Sequence, residues 1–256
     1  MMISMILHGC GGVMGQVVSR MAKESRDIEI AAGVDVKEAL SKDYPVVKDI
    51  RQAKKGDVIL DFSTAAAADS LLDYVEETRI PAVICTTGLS KAQLERLERL
   101  SKDGAILRSA NMSLGINLLA RLVQEAAKTL FGAGFDMEIL EAHHKRKVDA
   151  PSGTALLLAD RVNEAFDHRF SYVFDRSGRR EKRMEKEIGI SSIRGGSIVG
   201  DHTVIFAGED EVITLSHRAY SRQVFGAGAL AAVRFLAGKA PGYYTMEDVI
   251  GSLGKG

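Results

Sequence analysis

The sequence has few of the features that would place a protein in a membrane, on a nucleic acid or outside the cell. Only two cysteines occur in 256 residues, Cys10 and Cys85, and they are too far apart for a metal-binding or redox motif. Basic and acidic residues each total 34, so the net charge is zero, which disfavours a general nucleic-acid or membrane-surface binder. No apolar run reaches the length of a transmembrane helix. We therefore expect a reduced, cytoplasmic protein with neither nucleic acid nor membrane as a partner.

The amino-terminal segment has no basic leader and passes directly into a glycine-rich turn. Residues 3–8 form a short apolar run that predicts a buried strand, and the turn 9–15 precedes a helical pattern. Strand, glycine turn and helix is the order of a dinucleotide-binding fingerprint, although Met14 replaces the third glycine of its strict form. The next predicted strand, 28–34, ends in Asp35, an acid that can accept hydrogen bonds from an adenosine ribose.

Strands and helices go on alternating as far as residue 108. The predicted elements are strands 58–62, 82–85 and 105–108, with helices 65–77 and 90–100 between them. This alternation predicts an α/β, Rossmann-like doubly wound parallel sheet that binds ligands at the carboxyl ends of its strands. Three turns at those ends are candidates for the cofactor lining: residues 9–15, 86–88 and 109–112. The alternative is that they are ordinary βα loops.

The pattern changes after Asn111. The predicted elements are helices 116–131 and 155–166, strands 135–142, 188–193, 203–207 and 212–216, and helices 225–237 and 246–252. The charge-rich segment 176–187 is mixed in sign and predicts a solvated loop. We expect a dinucleotide-binding domain of residues 1–112 plus 222–256, and a second, α+β domain of residues 113–221 for substrate binding and oligomerisation.

The residues with the clearest chemistry lie in one stretch, Glu141-Ala-His-His-Lys-Arg-Lys-Val-Asp-Ala-Pro-Ser-Gly-Thr154. Its two histidines can exchange protons near neutral pH, and three cations follow them. Residues 152–154 predict a helix start whose free N–H groups favour an anion. The combination favours a small acidic metabolite, and the alternative is a solvated basic loop before an ordinary helix cap. No metal site is expected, because adjacent residues of an extended segment point to opposite faces.

Residues 9–15 and 141–155 together resemble one family, 4-hydroxy-tetrahydrodipicolinate reductase (dihydrodipicolinate reductase) of bacterial lysine and diaminopimelate synthesis. Further support, over nearly the whole chain, comes from residues 86–88, 111–117, 198–203 and 217–222. The resemblance implies reduction of 4-hydroxy-tetrahydrodipicolinate, a small dicarboxylate, to tetrahydrodipicolinate with NADH or NADPH as cofactor. It also implies a homotetramer paired through the sheet of the second domain, where apolar residues 204–206 and 212–213 need cover.

The resemblance also implies roles for individual residues. His143 is similar to the family's acid/base residue and Lys147 to its proton donor, while His144, Gly153 and Thr154 are similar to substrate contacts. The implied cofactor lining consists of Gly9, Cys10, Gly11, Gly12, Val13, Met14, Asp35, Cys85, Thr86, Thr87, Ser109, Ala110, Asn111 and Met112. Two features depart from the family pattern: Cys85 replaces the usual glycine before Thr-Thr-Gly, and Ser-Ala-Asn at 109–111 replaces Ala-Pro-Asn.

Two other functions fit part of the pattern: a different two-domain nicotinamide oxidoreductase, or a nucleotide-sensing regulator that retains the fold. The 143–154 stretch disfavours the first, and its proton donors disfavour the second. For the cofactor, the charge of Asp35 disfavours a 2′-phosphate, and Lys37 would partly offset that repulsion. We expect NADH to be used at least as well as NADPH.

Overall fold

The computed structural model describes residues 2–36 and 43–254, so Lys37 lies outside the described residues. In chain order the elements are β1 (Ile3–His8), α1 (Val13–Glu24), β2 (Ile28–Val34), β3 (Val46–Val47), β4 (Val58–Asp61), α2 (Ala68–Thr78), β5 (Ala82–Ile84), α3 (Lys91–Leu100), β6 (Ala105–Arg108), α4 (Leu114–Leu130), β7 (Asp136–His143), α5 (Gly153–Glu164), β8 (Ser171–Val173), β9 (Glu187–Arg194), β10 (Gly200–Ala207), β11 (Val212–Ala219), α6 (Gln223–Leu236), β12 (Gly242–Tyr244) and α7 (Met246–Leu253). The chain forms two compact units, Met1–Leu114 with Arg222–Gly256, and Gly115–Ser221.

The first unit is built on a seven-stranded sheet in the order β3-β2-β1-β4-β5-β6-β12, and every neighbouring pair is parallel. The order of strands reverses between β1 and β4. In such sheets a crevice opens at this point outside the carboxyl ends of the strands. The Rossmann-like doubly wound sheet predicted from the sequence is therefore confirmed.

Both faces of this sheet are buried, which explains why its strands are continuous apolar runs. Alternate residues of β1 point to opposite faces. Met5 and Leu7 join a core that α1, α6 and α7 cover, and Ile6 joins a second core under α2 and α3. The carboxyl-terminal helices thus complete the amino-terminal sheet, and the unit is discontinuous in sequence.

The second unit contains a five-stranded mixed sheet in the order β11-β10-β7-β9-β8. β7 is antiparallel to β10 and parallel to β9, so it lies at the centre. Helices α4 and α5 pack on one face, where they bury apolar residues of β7, β9 and β10. This is the α+β unit that the sequence predicts, with the strand that precedes the histidines in the middle of its sheet.

Several details differ from the predictions. The helix expected over 65–77 begins as a 3₁₀ turn, Ala65–Ala67, before α2. Strands β3, β8 and β12 were not predicted, because two or three residues are too few to show a period. The segment 176–187 is not simply a solvated loop. Arg176 donates to Glu138 and Glu187, and Glu187 is buried at the start of β9.

The apolar residues expected to need cover on the second sheet divide between its two faces. Val204 and Phe206 are fully buried in the core below the helices, so they offer no surface to a partner. Exposed apolar side chains of this sheet are Leu140, Ile193, Val212 and Ile213. Within residues 2–36 and 43–254, no helix combines the length and apolar character needed to cross a bilayer.

Candidate active site

The central strand of the second unit places a carboxylate beside a histidine. Glu141 and His143 are two residues apart on β7 and therefore point to the same face. Glu141 is fully buried and His143 is 8% exposed. Oε2 of Glu141 lies 2.5 Å from Nδ1 of His143.

Arg194, the last residue of β9, forms a bidentate salt bridge with Glu141. Its Nη1 donates to Oε2 at 2.8 Å and its Nη2 donates to Oε1 at 2.7 Å. The backbone N–H of Ser152 also donates to Oε1, at 3.1 Å. Burial alone would raise the pKa of Glu141, but these hydrogen bonds, above all those from Arg194, lower the pKa to about 2. Glu141 is therefore a buried carboxylate that stays ionised.

The environment of His143 favours its neutral form. Burial is the largest effect and lowers the pKa of His143 below its usual value, and the charges of Lys147 and Arg194 act in the same direction. Glu141 opposes them through its hydrogen bond and its charge. His143 is therefore a buried ring that favours the neutral form and lies against an ionised carboxylate.

A second histidine supports the start of α5. Ser152 is the helix N-cap, and its Oγ accepts from the N–H of Ala155 at 3.1 Å. The same Oγ lies 3.0 Å from Nε2 of His202 on β10. Burial, followed by the charge of His143, lowers the pKa of His202 to about 3, so this ring is neutral and Nε2 can accept the hydroxyl proton. The Ser152 hydroxyl thus accepts a hydrogen bond from Ala155 and can donate one to His202, so protein groups use both its acceptor and its donor function.

The first turn of α5 is open to a ligand. Gly153 and Thr154 are its first two residues, and Gly153 is exposed. A Cβ at position 153 would meet no protein atom within 4 Å, so the fold itself does not require glycine there. The positive end of the helix dipole attracts an anion at such an end. The absence of a side chain lets that anion approach the backbone.

The structure distinguishes Lys147 from the other two cations of the run. Its side chain is 21% exposed and its Nζ lies 2.8 Å from Oδ2 of Asp149. Lys145 and Arg146 are exposed. The charge of Lys147 lowers the pKa of both His143 and His202. The second unit thus brings His143, Lys147 and the start of α5 together, with His144 half-buried in the turn between them.

In the first unit, a cavity of about 530 Å³ opens at the carboxyl ends of β1, β2 and β4. Its lining consists of His8, Gly9, Gly12, Val34, Asp35, Val36, Phe62, Ser63, Thr64, Ala66 and Ala67. This volume is typical of small-molecule and cofactor sites. The cavity lies at the point where the strand order reverses, which is where a dinucleotide binds in sheets of this topology.

The glycine turn fits a phosphate group. Gly9 has φ of +78°, and a Cβ there would lie 2.6 Å from the carbonyl oxygen of Phe62. Gly12 is the N-cap of α1 and provides no side-chain cap, and the first turn of α1 contains no acidic residue. The N–H groups of Gly9, Gly11 and Gly12 already donate to Val34, Asp35 and Gly9. The positive end of the α1 dipole, which no side chain caps, is what this turn offers to a pyrophosphate.

Asp35 is fixed at the rim of the same cavity. Its Oδ2 accepts from the N–H of Gly11 at 2.9 Å, which joins the end of β2 to the glycine turn. A Cβ at position 11 would lie 2.9 Å from the same oxygen. The turn and the acid that a ribose would contact are thus held together.

The other residues implied as cofactor lining have varied positions. Cys10, Cys85 and Met112 are buried in the core of the first unit, so only their backbones could face a cofactor. Thr86 is also buried, whereas Val13, Thr87 and Ala110 are exposed and Met14, Ser109 and Asn111 lie between. Residues 85–87 and 109–112 lie outside the lining of the 530 Å³ cavity.

Asp61 is a residue whose importance the sequence did not reveal. It is fully buried at the end of β4, and it accepts from Thr86 Oγ1 at 2.6 Å and from the N–H of Ser63 at 3.0 Å. Its Oδ1 lies 2.9 Å from Nδ1 of His8 at the end of β1. One carboxylate therefore joins the ends of three neighbouring strands. The one sequence feature that could have indicated this role is that Asp61 is an acidic residue at the end of an apolar strand.

Glu141, Arg194 and His202 are the corresponding omissions in the second unit. Glu141 opens the motif and His202 lies in Gly200-Asp-His-Thr203, but the sequence alone does not indicate a role for either. Arg194 had no local signal, because its partner is 53 residues away. Among the described residues, no group of three or more His, Cys, Asp or Glu side chains could hold a metal ion.

Comparison with known families agrees with both units. Residues 3–112 match the model "Dihydrodipicolinate reductase, N-terminus", and residues 115–250 match "Dihydrodipicolinate reductase, C-terminus". The chain belongs to the dihydrodipicolinate reductase family. Its resemblance to this family and its assignment as an oxidoreductase are thereby confirmed.

Individual relatives cover nearly the full chain. The 4-hydroxy-tetrahydrodipicolinate reductase of Caldanaerobacter subterraneus subsp. tengcongensis is 53% identical, over 98% of this chain and 99% of that protein. The enzyme of the same name from Clostridium tetani is 47% identical over 98% of each. Among solved structures, dipicolinate-bound dihydrodipicolinate reductase from Paenisporosarcina sp. TG-14 superposes with a TM-score of 0.78 and 25% identity, covering 96% of this chain and 98% of that one.

Proposed function

We propose that this chain reduces 4-hydroxy-tetrahydrodipicolinate to tetrahydrodipicolinate with a nicotinamide cofactor, in the diaminopimelate route to lysine. One observation supports this most directly: the 141–154 motif folds so that a buried histidine–carboxylate pair, a half-buried lysine and an open helix start come together. Family membership over both units gives independent support.

The proposed substrate is a ring with two carboxylates, and the second unit contains groups suited to each need of the reaction. Gly153 and Thr154, at the positive end of the α5 dipole, hold and orient a carboxylate together with His144. The hydroxyl of the substrate leaves as water, and a bound nicotinamide would supply the hydride for the resulting conjugated imine. His143 and Lys147 hold the proton that must be delivered as negative charge develops on the ring, and such help contributes roughly 10²–10⁴-fold to a rate.

On the cofactor side, we propose that the glycine turn of residues 9–14 holds the pyrophosphate and that Asp35 contacts the ribose. Residues 85–87 and 109–112 would complete the lining through backbone groups and the exposed side chains. Asp35 is fixed by the N–H of Gly11, and its charge disfavours a 2′-phosphate. NADH and NADPH both fit this arrangement, with NADH used at least as well. A preference for NADPH of tenfold or more in kcat/KM would contradict this part of the proposal.

A homotetramer paired through the second sheet is also part of the proposal. Leu140, Ile193 and Val212 are exposed apolar side chains on the face of the sheet opposite to α4 and α5, and apolar surface of this kind is often covered by a second copy. Light scattering at micromolar concentration should give the mass of four chains, and a monomeric mass would contradict it. The cytoplasmic location expected from the free cysteines stays a prediction.

The deciding experiment is NADH and NADPH oxidation with freshly prepared 4-hydroxy-tetrahydrodipicolinate. Oxidation that depends on this substrate is the expected result. Oxidation with other acids or aldehydes only would favour a different oxidoreductase. Cofactor binding without oxidation of any substrate would favour a nucleotide-sensing regulator.

A further inference from the structure

We propose that Glu141, paired with Arg194, is a positioning residue that fixes the proton of neutral His143 on Nδ1 and leaves Nε2 to exchange a proton with the substrate. This inference rests on the proposed acid/base role of His143. Glu141 itself touches no substrate in the proposal. It acts through the orientation and the tautomer of the ring.

The hydrogen bonds around Glu141 dictate this tautomer. Oε1 accepts from Ser152 N and Arg194 Nη2, and Oε2 accepts from Arg194 Nη1 next to His143 Nδ1. A backbone N–H and a guanidinium can only donate, and an ionised carboxylate can only accept. Glu141 therefore has no proton to offer to His143. The 2.5 Å contact is a hydrogen bond only if Nδ1 carries the proton.

The opposite side of the ring is left clear. A Cβ at Gly200, the first residue of β10, would lie 3.1 Å from Nε2 of His143 and 3.8 Å from Cε1 of His202. Glycine at this position keeps the space beside Nε2 open. The ring of His202 packs edge-on against His143 with centroids 5.1 Å apart, which limits rotation of the His143 ring. Fixing the ring in this way prepares Nε2 for one proton transfer.

The same carboxylate also anchors the substrate-binding helix. The N–H that Oε1 accepts belongs to Ser152, the N-cap residue of α5. Glu141 therefore links the ring that exchanges the proton to the helix end proposed to hold a carboxylate. A shift of Glu141 would move both, so its removal should affect turnover and not only affinity.

Charged and titratable groups face His143 from four directions: Glu141 on β7, Arg194 on β9, His202 on β10 and Lys147 in the turn after β7. Of these, Glu141 raises the pKa of His143, and Lys147 and Arg194 lower it. Loss of the Glu141 charge should therefore lower the pKa of His143 further. Any limb of the pH–rate profile that requires protonated His143 should move to lower pH.

Glu141→Gln tests the proposal because it preserves shape and removes the charge. A glutamine has one accepting oxygen, so its NH₂ must face either His143 or the Ser152 N–H and Arg194. The first orientation forces the proton of His143 onto Nε2, and the second sets donor against donor and displaces the chain. We expect kcat to fall about 10²-fold or more, which is the low end of the help that a positioned general acid or base gives.

The decisive readout is the tautomer, measured by long-range ¹H–¹⁵N NMR on the full-length protein with labelled histidine and without substrate. Wild-type His143 should show only the Nδ1–H form, and Glu141→Gln should show Nε2–H or an exchanging mixture. The wild-type spectrum is decisive even if the variant does not fold, since an Nε2–H signal there overturns the proposal.

Glu138→Gln is the matched control. Glu138 lies on the same strand, points to the other face, and pairs with Arg176 and Arg183. It should leave the tautomer of His143, its pH profile and turnover unchanged. A Glu141→Gln protein that keeps the Nδ1–H signal, the pH profile and near-wild-type turnover would overturn the proposal. Failure of the wild type to reduce the substrate would instead contradict the proposed function, because the tautomer is measured without it.

Discussion

The two candidate sites differ in whether backbone groups or side chains form them. In the first unit the groups proposed to face a ligand are mainly backbone: a glycine turn, the uncapped start of α1, and turns whose Cys10, Cys85 and Met112 side chains are buried in the core. In the second unit they are mainly side chains, arranged around the ionised Glu141. A site formed by backbone groups tolerates substitution at most positions, but not the addition of a Cβ at a glycine with close neighbours. A site formed by side chains depends on the identity of a few residues.

This difference explains the departure at Cys85. The family usually has glycine there, and a side chain in a ligand-lining turn would be expected to obstruct binding. Cys85 instead points into the core with 7% of its surface exposed, where burial, followed by the charge of Asp61, raises the pKa of its thiol well above the usual value. A backbone site can accept this residue because its side chain lies in the core and leaves the backbone of the turn unobstructed.

The largest effect is expected from a Cβ in the backbone site. Gly9→Ala places a non-glycine residue at φ of +78° and sets its Cβ 2.6 Å from the Phe62 carbonyl oxygen. Left-handed strain and overpacking together should cost about 3 kcal/mol of unfolding free energy and weaken NADH binding. Urea unfolding and NADH titration measure both. Gly88→Ala is the control, because Gly88 has φ of +74° but no atom within 4 Å of a Cβ, so it should lose only about 1 kcal/mol.

In the side-chain site, Lys147→Ala should lower turnover by about 10²-fold, or about 2.7 kcal/mol in the activation barrier. NADH binding should be nearly unchanged, because the residues proposed to bind the cofactor lie in the other unit. Lys145→Ala removes the same charge from an exposed neighbour and should change turnover little. Steady-state kinetics on both variants decide the point: equal, small losses would mean that the basic run is only a solvated surface.

Acid should affect the second unit through Glu141. Its pKa is lowered from 4.5 to about 2, so its contribution to stability is complete above about pH 4.5 and is lost as the pH falls towards 2. We expect a loss on the order of 2 kcal/mol over this range. Urea unfolding of the wild type and of Glu141→Gln at pH 6 and pH 3 measures it. A variant with the same pH dependence as the wild type would show that Glu141 does not cause the loss.

The contrast between the units also shows what could be predicted from the sequence. The Rossmann-like sheet was predictable because apolar strands, glycine turns and capped helices leave local patterns. The His143–Thr154 stretch was predictable because its residues are consecutive. Arg194 and Asp61 were not, because their partners are distant in sequence and meet only when strand ends are brought together.

The open face of the second sheet shows the same limit in another form. Residues 204–206 were expected to need cover by a partner, but Val204 and Phe206 point towards α4 and α5 and are fully buried. An apolar run in a strand shows that residues are buried somewhere. Which face is covered by the chain's own helices depends on packing that the run itself does not specify.

The smallest and most discriminating effect concerns Gly153. A Cβ at this position would meet no protein atom within 4 Å, in contrast to Gly9. If Gly153 is present only to let a carboxylate approach the start of α5, then Gly153→Ala should change the unfolding free energy by no more than about 0.5 kcal/mol. The KM for the substrate should rise about tenfold, which corresponds to about 1.4 kcal/mol of binding.

Gly251→Ala is the control, since its Cβ also has no neighbour within 4 Å but it lies in α7 of the first unit. Kinetics and urea unfolding on the two variants separate the cases: an unchanged KM in Gly153→Ala would mean that no substrate group approaches this helix end.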